Sequence, residues 1–333
     1  MKFVNSERNE MILITGAAGF IGSAVVWELN RRGRRDLVLV DKLGSGDKWK
    51  NLLGLRFAEF IDREELFARL STDKWASEIE CVFHIGANAD TTFLDGDSLY
   101  EWNYDFSRAL GDWSLNNGIR FIYASSAAVY GDGALGFSDD YDLSFKLQPL
   151  NPYGFSKLLF DRYVIQNNWY DKVAGFRFFN VYGPNEYHKA RMASVILHAI
   201  PQARDTGKIR LFESHRDGIA HGEQKRDFVS IWEVLDGLMF AFDHPKVNGI
   251  FNLGSGRAHS FNQLAEAVFS ALDKPCKIEY FPMPEDLRGR YQYYTCADMS
   301  RLQKCGFPVF PDKFAEHVKE YVGKYIVHEK RLQ

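Results

Sequence analysis

The chain has 333 residues, of which 46% are hydrophobic and 26% are charged, and its formal net charge is −3. This length exceeds the usual size of a single core, so two domains or one enlarged domain are expected. The charge gives no electrostatic reason to expect nucleic-acid binding, and no apolar run approaches the ~18 residues of a membrane-spanning helix. The 4 cysteines have no C-x-x-C spacing. Neither disulfides nor zinc is therefore expected, and a reducing, cytoplasmic location fits.

The stretch from residue 11 to residue 41 has the pattern of a strand, a glycine-rich turn, a helix, a second strand and an acid. An apolar run at 11–14 predicts a buried strand, and apolar residues at helical period over 23–32 predict a helix. The run at 37–40 predicts a second strand that ends at Asp41. This order of elements is typical of a dinucleotide-binding α/β sheet.

Three glycines in the turn have the spacing G-x-x-G-x-x-G. Gly16 allows the tight turn, Gly19 lets the backbone approach a pyrophosphate, and Gly22 lets the helix pack on the sheet. The N-terminus of the following helix then favours the negative charge of the phosphates. The alternative is a helix that packs closely on a sheet and binds no ligand, but the flanking strands and the acid favour a dinucleotide.

The residues after the second strand leave the choice between NAD and NADP open. Asp41 would hydrogen-bond a ribose 2′-hydroxyl, which indicates NAD. Lys42 and Lys48 could neutralise a 2′-phosphate, which indicates NADP, although either could be a solvated loop lysine.

Two later strands are predicted to end at the same edge of the sheet. The runs 81–84 and 120–123 are strands, and the small-residue loop 85–90 follows the first of them. Ligands bind at the carboxyl ends of parallel strands. Ser126, after the second strand, could hydrogen-bond a substrate hydroxyl or ketone, although a serine in this position is common. Asn103, in a predicted helix, could hold the loop or be an ordinary surface asparagine.

The stretch from Tyr153 to Lys157 is the predicted centre of the chemistry. Pro152 suits the first turn of a helix, and residues four apart on a helix share a face. A tyrosine pKa is ordinarily near ~10, and a neighbouring cation would lower it. The pair is therefore a plausible proton-transfer device, although Y-x-x-x-K also occurs by chance in many helices.

These motifs together resemble the extended short-chain dehydrogenases/reductases that act on nucleotide-sugars. The resemblance rests on G-x-x-G-x-x-G, on S-S-A-A-V-Y-G at 125–131 and on Y-x-x-x-K at 153–157. It implies that Ser126, Tyr153 and Lys157 are catalytic, with the tyrosine accepting a hydroxyl proton and the lysine orienting the cofactor ribose. It also implies a Rossmann-type doubly wound parallel sheet with a smaller, interleaved C-terminal substrate domain. The expected division places 1–183 and 225–254 in the first domain and 184–224 and 255–333 in the second.

The second half is similar to the ADP-L-glycero-D-manno-heptose 6-epimerase family. The segment around His188 and Lys189, the run K-R-D-F at 225–228 and the run G-R-Y-Q at 289–292 carry this similarity. Epimerisation at a carbinol carbon requires hydride removal and return on opposite faces of the ketone, so a second base can serve the second orientation. In this family the second base is a lysine, and Lys189 matches it. A lysine with this role needs a lowered pKa, and the alternative is a lysine that clamps phosphate or cofactor.

The resemblance implies two sets of binding residues. The cofactor set is Gly16, Gly19, Phe20, Ile21, Gly22, Asp41, Lys42, Lys48, Ile85, Gly86, Ala87, Asn103, Lys157, Val181 and Lys189. The substrate set is Ser126, Asn180, Arg191, His198, Phe212, Glu213, Ser214, Arg226 and Tyr291. Any of the second set could instead be ordinary residues between the domains.

The sequence departs from this family at three places. Arg191 stands where the family often has a small polar residue, so it could reach phosphate instead. The loop 215–224 is long, but its two histidines have no third ligand at suitable spacing, and no metal site is expected. Residues 1–10 are polar and are interpreted as a tail or an added edge segment.

The predicted function is redox-neutral inversion at carbon 6 of the heptose in ADP-heptose, for lipopolysaccharide precursor synthesis, with bound NADP. The family also implies a homo-oligomer, often a pentamer, with no membrane or nucleic-acid partner. One alternative is a related enzyme, a UDP-glucose 4-epimerase or a 4,6-dehydratase, although a dehydratase needs an acid pair that Ala127 and Ala128 do not offer. The other is a non-catalytic NADP sensor, which would have no need of the catalytic trio.

Overall fold

The computed structural model describes residues 11–288, 291–328 and 330–333. Its strands are β1 (Met11–Thr15), β2 (Leu37–Asp41), β3 (Glu59–Asp62), β4 (Ile79–His84), β5 (Arg120–Ser126), β6 (Val173–Phe178), β7 (Asn180–Tyr182), β8 (Ile209–Phe212), β9 (Lys225–Arg226), β10 (Phe228–Ser230), β11 (Gly249–Leu253), β12 (His259–Ser260) and β13 (Ile278–Phe281). Its α-helices are α1 (Phe20–Arg31), α2 (Leu66–Leu70), α3 (Asp73–Glu78), α4 (Gly96–Leu99), α5 (Phe106–Asn116), α6 (Tyr141–Ser144), α7 (Pro152–Gln166), α8 (Val195–Pro201), α9 (Ile231–Asp243), α10 (Phe261–Ala271), α11 (Glu285–Arg288), α12 (Ser300–Lys304) and α13 (Phe314–Glu320).

Seven strands of the described chain form one parallel sheet in the order β11-β6-β5-β4-β1-β2-β3. The chain order reverses between β1 and β4, and this switch point opens a crevice at the carboxyl ends of the strands. The predicted doubly wound sheet is confirmed, including the return of the 249–253 strand to it.

Both faces of this sheet are covered, which explains why its strands are almost continuously apolar. Ile12 and Ile14 pack into one core, whereas Leu13 packs into the other, because successive side chains point to opposite faces. The first core also contains α1 and α9, and the second contains α5 and side chains of α7. All three β1 side chains are fully buried.

A third core lies in the smaller part of the molecule. It contains side chains of α8, α10 and α13, together with strands such as β8, which pairs with β13. Leu302 and Phe307 of the C-terminal third pack instead with the first core, beside the large sheet. The exact domain boundaries stay a prediction.

The helix α7, which carries Tyr153 and Lys157, begins where its sequence predicts. Pro152 occupies the first turn, and the Asn151 side chain accepts a hydrogen bond of 2.8 Å from the Gly154 amide. An asparagine cap satisfies an amide that would otherwise lack a partner. Tyr153 and Lys157 are therefore placed one helical turn apart at the edge of β5.

Two predicted features lie outside the described residues: the N-terminal segment 1–10, and Gly289 and Arg290 of the G-R-Y-Q run. Among the helices that the structure describes, none combines the length and the apolar character needed to cross a bilayer.

Candidate active site

A long cleft lies at the carboxyl ends of the parallel strands. It consists of two adjoining cavities of about 370 and 340 Å³. Both are lined by Phe20, Ile21, Ile85, Ala87, Ala89, Lys189 and Met192, so they form one continuous site. Fourteen of the predicted cofactor residues line this cleft, and Asn103 stands behind it.

The glycine-rich turn forms the floor of the first cavity. Gly16 has φ +65°, and a Cβ there would lie 2.6 Å from the Cα of Gly86. A Cβ on Gly22 would lie 2.1 Å from the Gly16 carbonyl oxygen. The N-terminus of α1 follows Gly19, which has no side chain to cap it. The first backbone N–H groups of this helix are therefore available to an anion at the cleft.

Asp41 is buried at the end of β2 and organises the turn. Its carboxylate accepts hydrogen bonds of 2.8 Å from the Ala18 amide and 2.7 Å from the Lys42 amide. Lys48 Nζ lies 2.7 Å from the same carboxylate, and the Lys42 ammonium pairs with Glu64. The acid and the two lysines thus all lie in the first cavity, at the carboxyl end of β2.

The residues of the first cavity that sequence reasoning did not select include Arg63, Trp102 and His188. The Arg63 guanidinium lies 3.5 Å from the centroid of the Trp102 ring, and Arg63 Nε is buried without a hydrogen-bond partner. His188 also lines the cavity, and burial, followed by the nearby Lys48 and Lys189, lowers its pKa to about 4. Only the position of Arg63 just after β3, at the same sheet edge, could have indicated its place.

The predicted catalytic trio lies in the second cavity. Ser126, Tyr153 and Lys157 all line it, and the Ser126 hydroxyl is close enough to the Tyr153 phenol to influence its pKa. Lys157 Nζ donates a hydrogen bond of 3.1 Å to the Ala124 carbonyl. Burial lowers the pKa of Lys157 to about 8, and the charge of Asp161 opposes this. The lysine is held at the end of β5, on the same face of α7 as the phenol.

The protein by itself does not lower the tyrosine pKa as the sequence led us to expect. Burial raises the pKa of Tyr153, and the Ser126 hydroxyl only partly opposes it. The physical reason is that a phenolate loses more hydration in this site than one hydroxyl returns.

Lys189 lines the same cavity and comes from an element distant from α7 in the chain. It lies in the short helical segment Tyr187–Met192, and its ammonium is 5.5 Å from the centroid of the Phe20 ring. Burial lowers the pKa of Lys189, and Glu186 opposes this. A lowered pKa is what a proton-transferring lysine requires.

A buried ion pair joins β6 to α7 beside the elements that carry Ser126, Tyr153 and Lys157. Arg177 Nε donates a hydrogen bond of 2.8 Å to Asp161, and both side chains are fully buried. Asp161 also accepts hydrogen bonds of 3.0 Å from Tyr123 and from Ser125, the neighbour of Ser126. This network fixes the end of β5 against α7.

Asn103 contacts the cleft indirectly. Its side chain accepts a hydrogen bond of 2.8 Å from the Asn88 amide and donates one of 3.0 Å to the Ser156 hydroxyl. It therefore ties the loop after β4 to the catalytic helix, and its predicted role in holding that loop is consistent with these bonds.

The predicted substrate residues fall into separate groups. Asn180 lines the second cavity, as does Phe228. Arg226 lies two residues before Phe228, and its guanidinium is 5.1 Å from the Tyr291 ring centroid, with Phe212 against the same ring at 6.1 Å. Arg226, Tyr291 and Phe212 thus form one group of side chains, and none of the three lines either cavity.

The remaining predicted substrate residues also lie outside the lining of both cavities. Arg191 pairs with Asp90 at 3.1 Å and also contacts the Thr92 hydroxyl, so it bridges two loops at the mouth of the cleft. His198 lies exposed on α8. Glu213 and Ser214 follow β8, where their backbone amides bond the Phe281 carbonyl and the His221 ring.

Comparison with known proteins agrees with this arrangement. Residues 12–254 match the model of the NAD dependent epimerase/dehydratase family. An ADP-L-glycero-D-manno-heptose-6-epimerase of Nitratidesulfovibrio vulgaris is 45% identical over 316 residues, which cover 95% of this chain and 98% of that protein.

Two solved structures share the whole fold. The Helicobacter pylori ADP-L-glycero-D-manno-heptose-6-epimerase has a TM-score of 0.77 and 29% identity, over 97% of this chain and 99% of that one. A UDP-N-acetylglucosamine 4-epimerase from Methanobrevibacter ruminantium has a TM-score of 0.79 and 25% identity, over 97% and 100%. The protein therefore belongs to the NAD-dependent epimerase/dehydratase family, and among its members it is similar over nearly its full length to the ADP-heptose 6-epimerases.

Proposed function

We propose that this protein interconverts ADP-D-glycero- and ADP-L-glycero-D-manno-heptose by inversion at carbon 6 of the heptose. The observation that carries the proposal is that two separate groups able to transfer a proton, Tyr153 and Lys189, line one cavity beside a dinucleotide cleft. They come from separate elements, α7 and the segment Tyr187–Met192. Full-length similarity to ADP-heptose 6-epimerases supports this substrate.

The residues of the first cavity fit a nicotinamide dinucleotide. The free amides at the start of α1 suit a pyrophosphate. Asp41, Lys42 and Lys48 stand at the end of β2, where a ribose is recognised. Arg63 Nε is buried without a partner in the described structure and lines the same cavity, so it suits an anionic ligand group.

We infer that NADP is the preferred form. Lys48 pairs with Asp41 at 2.7 Å and Lys42 pairs with Glu64, so each of these acids is balanced by a lysine, and Arg63 adds a further cation along the same wall. A 2′-phosphate is favoured by such a group of cations. Lys48→Met should weaken NADP binding more than NAD binding, measured by titration calorimetry. Equal losses for the two dinucleotides would refute the preference for NADP.

A bound nicotinamide supplies the hydride transfer by which the carbinol becomes a ketone and is then restored. The chain's own residues move the protons. Tyr153 accepts the proton of the carbinol hydroxyl in one orientation of the sugar, and the Ser126 hydroxyl lies close to its phenol. To accept this proton Tyr153 must be a phenolate, and the charge of Lys157, which is held on the Ala124 carbonyl one helical turn away, would favour that form.

In the second orientation of the sugar, the Lys189 amine exchanges the proton with the hydroxyl. Its lowered pKa leaves a larger neutral fraction near neutral pH than an exposed lysine has. Arg226 and Tyr291 would hold the nucleotide or the sugar in the smaller lobe, since a guanidinium can make two bonds to one phosphate. The sugar can then present either face to one nicotinamide position.

The test is turnover of ADP-D-glycero-D-manno-heptose by the purified protein without added cofactor, followed by NMR of the product, with UDP-glucose assayed in parallel. Lys189→Met should remove epimerisation and preserve folding. Lys208→Met is a matched control, because Lys208 pairs with Glu279 at 3.2 Å on the exposed surface of the smaller lobe. Wild-type rates in Lys189→Met would show that this lysine is not part of the mechanism. Turnover of UDP-glucose without turnover of ADP-heptose would refute the proposed substrate.

The family resemblance also implies a homo-oligomer. Light scattering on the purified protein would measure its mass directly, and a mass equal to the 38.3 kDa monomer would refute this.

A further inference from the structure

The loop that carries Lys189 has a backbone conformation that its own sequence does not favour. Asn185 has φ 79° and Ala190, next to Lys189, has φ 45°. Asparagine tolerates such a conformation, whereas alanine keeps it only where surrounding structure holds it. The contacts that hold this loop therefore decide where the Lys189 amine lies.

The first of these contacts is the side chain of Asn51, which is only 1% exposed. It lies in the short helical segment Asp47–Leu52, beyond β2. Its amide nitrogen lies 3.1 Å from the Ala18 carbonyl oxygen, 2.9 Å from the Asn185 carbonyl oxygen and 3.2 Å from His188 Nδ1. One buried amide thus joins the glycine-rich turn of the cofactor site to the loop of the second base.

The second set of contacts is made by the segment 330–332. Arg331 Nε donates a hydrogen bond of 3.2 Å to the side-chain oxygen of Asn51. The Tyr187 hydroxyl donates one of 2.9 Å to the Lys330 carbonyl, and the Leu332 amide donates one of 3.0 Å to the Asn185 side chain.

This segment is itself firmly anchored. The Leu332 side chain is 1% exposed within the first core. The Asn185 side chain also donates a hydrogen bond of 2.9 Å to Ser23 of α1. The loop is therefore hydrogen-bonded both to α1 and to the segment 330–332.

We propose that Asn51 is a positioning residue which, together with the segment 330–332, sets the place of the Lys189 amine relative to the dinucleotide cleft. Asn51 acts through the loop and lines neither cavity. The proposal rests on the proposed role of Lys189 as the second base.

These contacts explain how a change at Asn51 would affect both the glycine-rich turn and the loop of Lys189. Moving the Asn185 and His188 end of the loop would move Lys189 and expose its amine to water. The charged groups that face this amine in the loop are Glu186 and, when protonated, His188. Since burial keeps the lysine pKa low, a displaced loop should return that pKa toward the ordinary value near ~10.4.

The test compares Asn51→Ala with Asn30→Ala in the full-length protein. Asn30 is a matched control, because its amide also joins two carbonyls, those of Arg34 at 3.0 Å and Arg56 at 2.8 Å, away from the cleft. Displacement of a reacting group by ~1 Å can cost up to about 100-fold, so kcat of Asn51→Ala should fall by roughly 10- to 100-fold, with a much smaller change in KM. Asn30→Ala should keep the wild-type kcat.

A second measurement separates positioning from general loss of structure. The pKa of Lys189 is measured by competitive amine labelling across pH, with mass spectrometry of the Lys189 peptide. It should rise in Asn51→Ala and stay unchanged in Asn30→Ala. If Asn51→Ala does not fold, Arg331→Met, which removes one bond to Asn51 at a partly exposed position, should show the same two changes in smaller measure.

An unchanged kcat with an unchanged labelling profile would overturn the proposal. So would a fall in kcat without any change at Lys189, because the effect would then arise elsewhere. If the wild-type protein turns over no ADP-heptose, the proposed function fails, whereas the labelling profile still decides whether Asn51 positions the loop.

Discussion

Replacing Gly22 by alanine should damage the cofactor site through a clash that the structure measures directly. The added Cβ would lie 2.1 Å from the Gly16 carbonyl oxygen and 2.7 Å from its carbon. Ordinary contact begins at 3.4 Å, so the backbone of the turn or of α1 must move by more than about 1 Å. Both partners are backbone atoms, and no flexible side chain can yield instead.

Two consequences are expected from this displacement. Overpacking of this kind costs about 1–3 kcal/mol of the free energy of unfolding. The amides at the start of α1 would also move away from the pyrophosphate, and a loss of about 1.4 kcal/mol there weakens dinucleotide binding tenfold. We therefore expect Gly22→Ala to fold with reduced stability and to bind NADP at least about tenfold more weakly.

The assay combines urea unfolding with calorimetric titration of NADP after removal of any bound cofactor. Gly33→Ala, at the other end of α1, is the matched control. Gly33 has φ +84° and nothing within 4 Å of an added Cβ, so the change strains the backbone without a clash. It should cost about 1–2 kcal/mol of stability and leave NADP binding unchanged. Unaltered NADP affinity in Gly22→Ala, or an equal loss in Gly33→Ala, would refute the reasoning.

Three further perturbations test other parts of the structure. Arg177→Met should cost about 3–5 kcal/mol in urea unfolding, because it leaves the fully buried Asp161 carboxylate without its cation; a loss below about 1 kcal/mol would contradict the buried pair. Arg191→Ala should barely change the thermal midpoint, because the Arg191 side chain is 69% exposed. NMR should nevertheless show a raised Asp90 pKa in this variant. Hydrogen bonds from Thr92, and to a smaller extent from Arg191, hold that pKa at about 2 in the wild-type protein. Lys157→Met should remove a pH dependence of the free energy of unfolding. Burial lowers the Lys157 pKa to about 8, whereas an unfolded lysine titrates near ~10.4. The unfolded state therefore binds more protons between these two pH values, so the stability that depends on this group rises with pH there. Urea unfolding of both proteins from about pH 7 to pH 10 measures the difference, and parallel curves would refute the assignment.

The sequence alone determined the elements that depend on neighbours along the chain. The glycine spacing and the apolar runs located β1, the turn and β2, and the four-residue spacing of Tyr153 and Lys157 put them on one face of α7. These patterns are local, because helical and strand periods act over a few residues. The first helix nevertheless begins at Phe20, three residues before the predicted start, since its first turn forms from the glycine-rich turn itself.

Only the tertiary structure decided which distant residues meet at the cleft. Arg63 and Trp102 line the dinucleotide cavity, and Arg191 pairs with Asp90, although no local pattern marks these positions. Asn51 binds a loop that lies 134 residues further along the chain. Such contacts follow from the order of the strands and the docking of the smaller lobe, so they depend on the packing of the whole chain.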